Sequence, residues 1–168
     1  MINRKNIYQL LGILPLLVFL RVTRWYGFTY RAWELAFLTG AALTSAVLAL
    51  SAWRKVPVRD IVLASSLMLL SGGLGFLTGQ SSLTGFYSRW QGSIFIAWYL
   101  AVRAGLALAP ELSDGLVYDP YAVRPKLASA LAVLALVWSL FHKDLLVSVA
   151  LPMSLATAGL TLACRKKC

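Results

Sequence analysis

Acidic residues, histidine and cysteine are all scarce in this chain. Its 168 residues hold six Asp or Glu against sixteen Lys or Arg, with one His and two Cys. The histidine is His142, and the cysteines, Cys164 and Cys168, flank Arg165-Lys166-Lys167. A structural or catalytic zinc site needs three or four closely spaced Cys, His or carboxylate ligands, and this supply does not meet that pattern. A Ser-His-Asp or Cys-His nucleophile cannot be assembled around a single histidine in a short turn, so conventional hydrolase chemistry is not expected. His142 reads as a polar turn residue. Cys164 and Cys168 read as free thiols at a cytoplasmic membrane face. Charge itself is sparse: 13% of residues are charged, 60% are hydrophobic, and the mean hydropathy is +0.74. A soluble domain of this length needs far more polar surface, so lipid is the expected solvent for most of the chain. The net charge of +10 could suit nucleic acid. However, the cations cluster at the ends of apolar runs, where they set topology and meet anionic lipid head groups. No nucleic-acid partner is expected.

What the chain has is long apolar runs punctuated by aromatics and bases. They predict an all-α polytopic membrane bundle, a single domain over 1–168, with helices at about 7–22, 33–53, 60–78, 91–109, 125–141 and 144–164. The fifth run, about seventeen residues, is near the lower limit for crossing a ~30 Å hydrocarbon core, so the count is six spans or five. The first run, Tyr8 to Leu20, has no small-residue cleavage site after it and is expected to be retained as a span. Pro15 and Pro152 fall inside predicted helices and mark expected kinks or breaks. Trp25, Tyr26, Phe28, Tyr30 and Trp33 form an expected interfacial belt, as do Phe86, Tyr87, Arg89 and Trp90 before the fourth helix. Ala42 and Ala46 give a small-xxx-small spacing for close helix approach. With the N-terminus inside, ten Lys or Arg fall on the cytoplasmic side and five outside, favouring both termini in the cytoplasm. The expected location is a plasma membrane.

The chain is organised around the hairpin from Asp60 to Ala109. Asp60 is placed to cap the third helix, where its carboxylate meets free N–H groups and the positive dipole end. Gly72-Gly73-Leu74-Gly75 lacks the strand and the Lys-Ser/Thr of a P-loop, and reads as a site of tight packing or local unwinding. Arg103 lies about seven residues from the cytoplasmic end of the fourth helix, roughly 10 Å deep at 1.5 Å per residue. Its guanidinium either snorkels to the interface or faces a polar cavity, paired with an acid or a ligand phosphate. Glu34 sits at the opposite face and is not its partner. The longest polar stretch, Pro110 to Lys126, carries Glu111, Asp114 and Asp119 with Tyr118, Tyr121, Arg124 and Lys126. There the carboxylates could hold Mg²⁺ or move protons, and the cations could hold a diphosphate; polar loops between membrane helices have the same composition without any such role.

Several segments together resemble the intracellular septation protein A family. They are Leu14-Pro15-Leu16-Leu17-Val18-Phe19, Ser51-Ala52-Trp53-Arg54-Lys55-Val56, Gly72-Gly73-Leu74, the spacing from Gly73 to Trp90, and a Pro/Lys-led fifth helix after a polar loop. The resemblance spans about residues 10 to 160. It implies a small bacterial inner-membrane protein of five or six spans, associated with envelope synthesis and division, and it implies no catalytic residues. The chain departs from that family at Gly79-Gln80-Ser81-Ser82, where a more polar or acidic loop is usual, and at Gln91, where a Lys follows the tryptophan. Three functions stay open. The first is a membrane organiser contacting other membrane proteins, or itself, through helix faces and needing no cofactor. The second is a Mg²⁺-using integral-membrane enzyme acting on an isoprenoid or lipid diphosphate, with Glu111, Asp114 and Asp119 catalytic and Arg103, Arg124, Lys126, Tyr118 and Tyr121 binding. The third is a small-solute transporter using the helix breaks.

Overall fold

Thr29 is where the second helix begins: its backbone is extended and its Oγ1 accepts a hydrogen bond from the Ala32 N–H at 3.3 Å, satisfying one of the helix's orphan donors. The computed structural model describes residues 4–27, 29–109, 111, 117–118 and 125–141. Within them lie α1 (Arg4–Trp25), α2 (Tyr30–Trp53), β1 (Val58–Arg59), α3 (Asp60–Leu77), α4 (Ser81–Leu108), β2 (Val117–Tyr118) and α5 (Pro125–Phe141). The predicted sixth helix, with Pro152, His142, Cys164 and Cys168, lies outside the described residues. Among the described residues the protein is all-α apart from two short strands. Two of its helices, α2 and α3, are long and apolar enough to cross a membrane.

Each helix packs on the next in sequence, and α3 also touches α1 and both strands. α3 thus touches more of the described elements than any other helix. Small residues set the contacts. On α2, Ala32, Ala36, Gly40 and Thr44 recur every fourth position and are all buried, forming one stripe along the helix. Ala42 and Ala46, the pair singled out from sequence, are exposed and lie off this stripe. On α5 the buried positions are Ala128, Ala132, Ala135 and Ser139, again at helical spacing. Ser139 Oγ donates to Ser93 Oγ of α4 at 2.9 Å.

Phe37 sits at the core. Its ring lies 4.8 Å from that of Phe19, 5.8 Å from Trp33, 5.7 Å from Phe76 and 5.1 Å from Tyr87, centroid to centroid. The ring presses on Gly72, where a Cβ would fall 2.3 Å from Phe37 Cδ1, and at Gly73 a Cβ would fall 2.7 Å from Ala41 Cβ. Of the two readings of the glycine run, tight packing is the one seen: α3 continues through it without a break. α1 likewise runs on through Pro15.

Two sequence expectations need correcting. α4 begins at Ser81 rather than near residue 91, so only Thr78, Gly79 and Gln80 separate it from α3. As a result Phe86, Tyr87, Arg89 and Trp90 are helical, and Tyr87 is buried in the core instead of lying at a rim. The aromatic belt after α1 is also divided: Trp25, Tyr26 and Tyr30 are exposed, whereas Trp33 packs on Phe19 and Phe37.

Tyr87 carries a polar node between the central helices. Its hydroxyl is hydrogen-bonded to Ser71 Oγ, accepts from Trp98 Nε1 at 3.1 Å and reaches the Met68 carbonyl at 3.4 Å. Removing it with Tyr87→Phe strands the Trp98 donor. We expect a loss of about 1–2 kcal/mol, measured by denaturant unfolding of the purified protein, with the helical circular dichroism unchanged.

Candidate functional site: a buried ion pair beside an apolar groove

α3 starts directly after β1, and its first residue is Asp60, preceded by Arg59 in extended conformation with no side-chain cap. The Asp60 Oδ1 accepts from the Ile61 N–H at 2.8 Å. An acid in the first turn also faces the positive end of the helix dipole. Asp60 is thus the first residue of the helix and not the cap that the sequence suggests, though its carboxylate does meet one free N–H and the dipole end. Its second oxygen does something the sequence reading did not assign: Oδ2 accepts from Arg103 Nη1 at 3.1 Å and from the Tyr99 hydroxyl at 3.2 Å. Arg103 and Tyr99 are one helical turn apart on α4, so both reach the same carboxylate. The guanidinium carbon also lies 5.9 Å from the Tyr99 ring centre, within cation–π range.

Asp60 is 1% exposed and Arg103 7%, so this is a buried ion pair. Of the two alternatives for Arg103, it does not snorkel; it faces inward and meets an acid. A pair of this kind recovers its desolvation cost only when geometry and further hydrogen bonds are good, and here one carboxylate accepts three donors. Chemically it clamps the N-terminal end of α3 to the C-terminal half of α4. Any anion binding at Arg103 would have to compete with a bonded carboxylate.

The polar stretch after α4 comes back to the same end. β1 and β2 pair in parallel, Val58 with Val117 and Arg59 with Tyr118, so the backbone of Tyr118 lies beside the residue preceding Asp60. Glu111 and Lys126 are exposed, and neither makes an ion pair with a described residue. Asp114, Asp119, Tyr121 and Arg124 lie outside the described residues, so the predicted acidic and basic cluster is not brought together within them.

Next to the ion pair, between the C-terminal half of α2 and the α3–α4 hairpin, lies a groove of about 880 Å³. Leu48, Leu67, Trp98 and Gly105 line its length, and Lys55 is the charged residue in its lining. The surrounding chain is basic: Arg54 lies over the Trp53 ring at 5.1 Å, and Arg59 follows in β1. Neither Asp60 as the partner of Arg103 nor this groove was expected from sequence. A signal for the first did exist, since an acid opening one helix of a tight antiparallel hairpin lies level with the end of the other.

A scan against protein-family models finds no match, and comparisons with curated proteins and with solved structures find no similar chain.

Proposed function

We propose that this is a multi-pass protein of a bacterial inner membrane, both termini cytoplasmic, that organises envelope-synthesis proteins through lateral helix contacts. This is the role implied by its resemblance to the intracellular septation protein A family. Membrane placement is supported by the apolar residues that the bundle turns outward, such as Leu17 on α1, Leu74 on α3 and Leu134 on α5, and by cations gathered at the helix ends. The observation that carries the non-catalytic reading is the Arg103–Asp60 pair. The one arginine within the apolar part of α4 is engaged in holding two helices together, a structural use of the residue an enzyme would need for phosphate. Beyond the stripe that packs on α4, α5 presents Leu134, Trp138 and Phe141 outward, a face suited to a second membrane protein.

The groove favours one second reading, an integral-membrane enzyme on an isoprenoid or lipid diphosphate. In that case Glu111, Asp114 and Asp119 would serve Mg²⁺ or proton transfer, and Arg124 and Lys126 the diphosphate. One complementation experiment separates the two. A strain lacking the protein is given the wild-type chain or one carrying Glu111→Gln, Asp114→Asn and Asp119→Asn together. The organiser predicts full restoration of cell division and envelope integrity by both, at equal membrane levels. Loss of rescue by the triple variant, with a Mg²⁺-dependent stabilisation of the wild type by isoprenyl diphosphate, would establish the enzyme instead.

A further inference from the structure

The groove beside α2 has in its lining an exposed lysine in a conformation that lysine seldom adopts. Lys55 has φ 53° and is the one non-glycine residue with positive φ among those described. It stands just past the end of α2 in a Schellman turn: the Val56 N–H donates to the Ser51 carbonyl at 3.0 Å, and the Lys55 N–H to the Ala52 carbonyl at 3.1 Å. α3 ends in the same motif, with Gln80 N–H to Gly75 carbonyl at 3.1 Å and Gly79 N–H to Phe76 carbonyl at 3.3 Å. There the left-handed position is filled by glycine, Gly79 at φ 64°, the residue that adopts it without steric cost. So the chain closes one helix with glycine and the other, at the groove, with a strained lysine. Strain kept at one position when an unstrained residue would serve the fold is characteristic of binding sites.

We propose that the groove holds one acyl chain of an anionic phospholipid, with the Lys55 ammonium on its phosphate. The inference rests on the membrane placement above, not on the organiser role. The lining suits hydrocarbon: Leu48, Leu67 and Trp98 are apolar, and about 880 Å³ falls within the range of small-molecule sites, roughly 300–1,000 Å³. The position suits a phosphate. α2 ends at Trp53, an exposed ring with Arg54 over its face, which places Lys55 at head-group level. Lys55, Arg54 and Arg59 make this end basic, and no acid lines the groove among the described residues. That charge selects an anionic lipid over a zwitterionic one.

The test uses the full chain purified in an uncharged detergent. Native mass spectrometry and thermal unfolding are followed while phosphatidylglycerol, phosphatidylcholine or inorganic phosphate is added. The expected result is a one-to-one phosphatidylglycerol adduct with a raised unfolding temperature, and neither effect from phosphatidylcholine or phosphate. Lys55→Gly relieves the backbone strain and removes the charge together. It should raise the unfolding temperature without lipid while weakening phosphatidylglycerol binding about fivefold. Gly105→Leu fills the groove, because among the described residues no neighbouring atom lies within 4 Å of where a Cβ would stand. It should abolish the adduct, while the lipid-free unfolding temperature stays level or rises by the few degrees that replacing a helical glycine brings.

Equal binding of phosphatidylcholine, a shift produced by phosphate alone, or an adduct unchanged in both variants would overturn the proposal. So would a dimer that Gly105→Leu dissociates, since the groove would then be filled by a second copy. Extraction of the chain from membranes by alkaline carbonate would remove the membrane placement itself, a failure distinct from that of the lipid site.

Discussion

Asp60→Leu is expected to destabilise the protein by about 3–5 kcal/mol, the cost of leaving a buried arginine without its counter-ion. Arg103→Leu should cost a similar amount, because it strands the carboxylate instead. The double variant Asp60→Leu/Arg103→Leu is expected to regain most of the loss, to within about 1–2 kcal/mol of wild type, since two apolar side chains can fill the site of a buried ion pair with little net penalty. Unfolding of purified variants in a fixed detergent mixture, analysed as a double-mutant cycle, measures this directly. The sign and size of the coupling matter more than either single value. Additive losses in the double variant would mean that the two residues are stabilised by other partners, and the clamp between α3 and α4 would be lost as an explanation. Tyr99→Phe removes only one donor to the Asp60 carboxylate and should cost less, about 1–2 kcal/mol.

The second large effect is expected at Gly72. A Cβ there would fall 2.3 Å from two ring carbons of Phe37, and that ring cannot move aside because it is held between Phe19, Trp33, Phe76 and Tyr87. Gly72→Leu should therefore reach or exceed the upper end of the roughly 1–3 kcal/mol typical of overpacking. That loss comes despite the ~1 kcal/mol by which replacing a mid-helix glycine ordinarily helps. Gly85→Ala in α4 is the control. Among the described residues no neighbouring atom lies within 4 Å of its Cβ position, so the helical gain should appear by itself. Adding Phe37→Leu to the Gly72 variant should recover part of the loss by making room. If Gly72→Leu and Gly85→Ala behave alike in thermal unfolding, the close approach of α2 and α3 at Phe37 is wrong.

Hydropathy made some of this fold legible and hid the rest for identifiable reasons. The fifth helix was expected over 125–141 and occupies Pro125–Phe141; the third was expected over 60–78 and occupies Asp60–Leu77. Both are bounded by proline, charge or a glycine turn, features that a sequence displays directly. The fourth was misplaced at its start because its first ten residues, SSLTGFYSRW, mix serine, glycine and arginine and look like a rim. They are helical in the folded protein, with Tyr87 packed on Phe37. With that segment as loop, the connection to α3 is too long to fix a register. Asp60 could not then be matched with Arg103. With the three-residue turn in place, the start of α3 lies level with Tyr99 to Arg103 on α4, and the partner follows by counting.

The packing stripes show a different limit. Ala42 and Ala46 have the right spacing but the wrong face, whereas Ala36, Gly40 and Thr44 have the same spacing and are buried. Period alone does not choose between two small-residue stripes on one apolar helix; the neighbour that fills the groove does, and here it is Leu69 against Gly40. The groove and the strained Lys55 were invisible for a related reason. Both arise from how three segments converge, and a lysine after a tryptophan and an arginine carries no sign of its own φ.

Cysteine accessibility on either side of α3 tests membrane placement most directly. In a chain with Cys164 and Cys168 replaced by Ser, single cysteines are placed at Arg54 and at Gln80, exposed positions before and after α3. The cells are treated with a membrane-impermeant maleimide before and after permeabilisation. On the proposed topology, in which α3 runs outward from the cytoplasmic face, Gln80→Cys labels in intact spheroplasts and Arg54→Cys only once the membrane is opened. Labelling of both positions from the same side would contradict it.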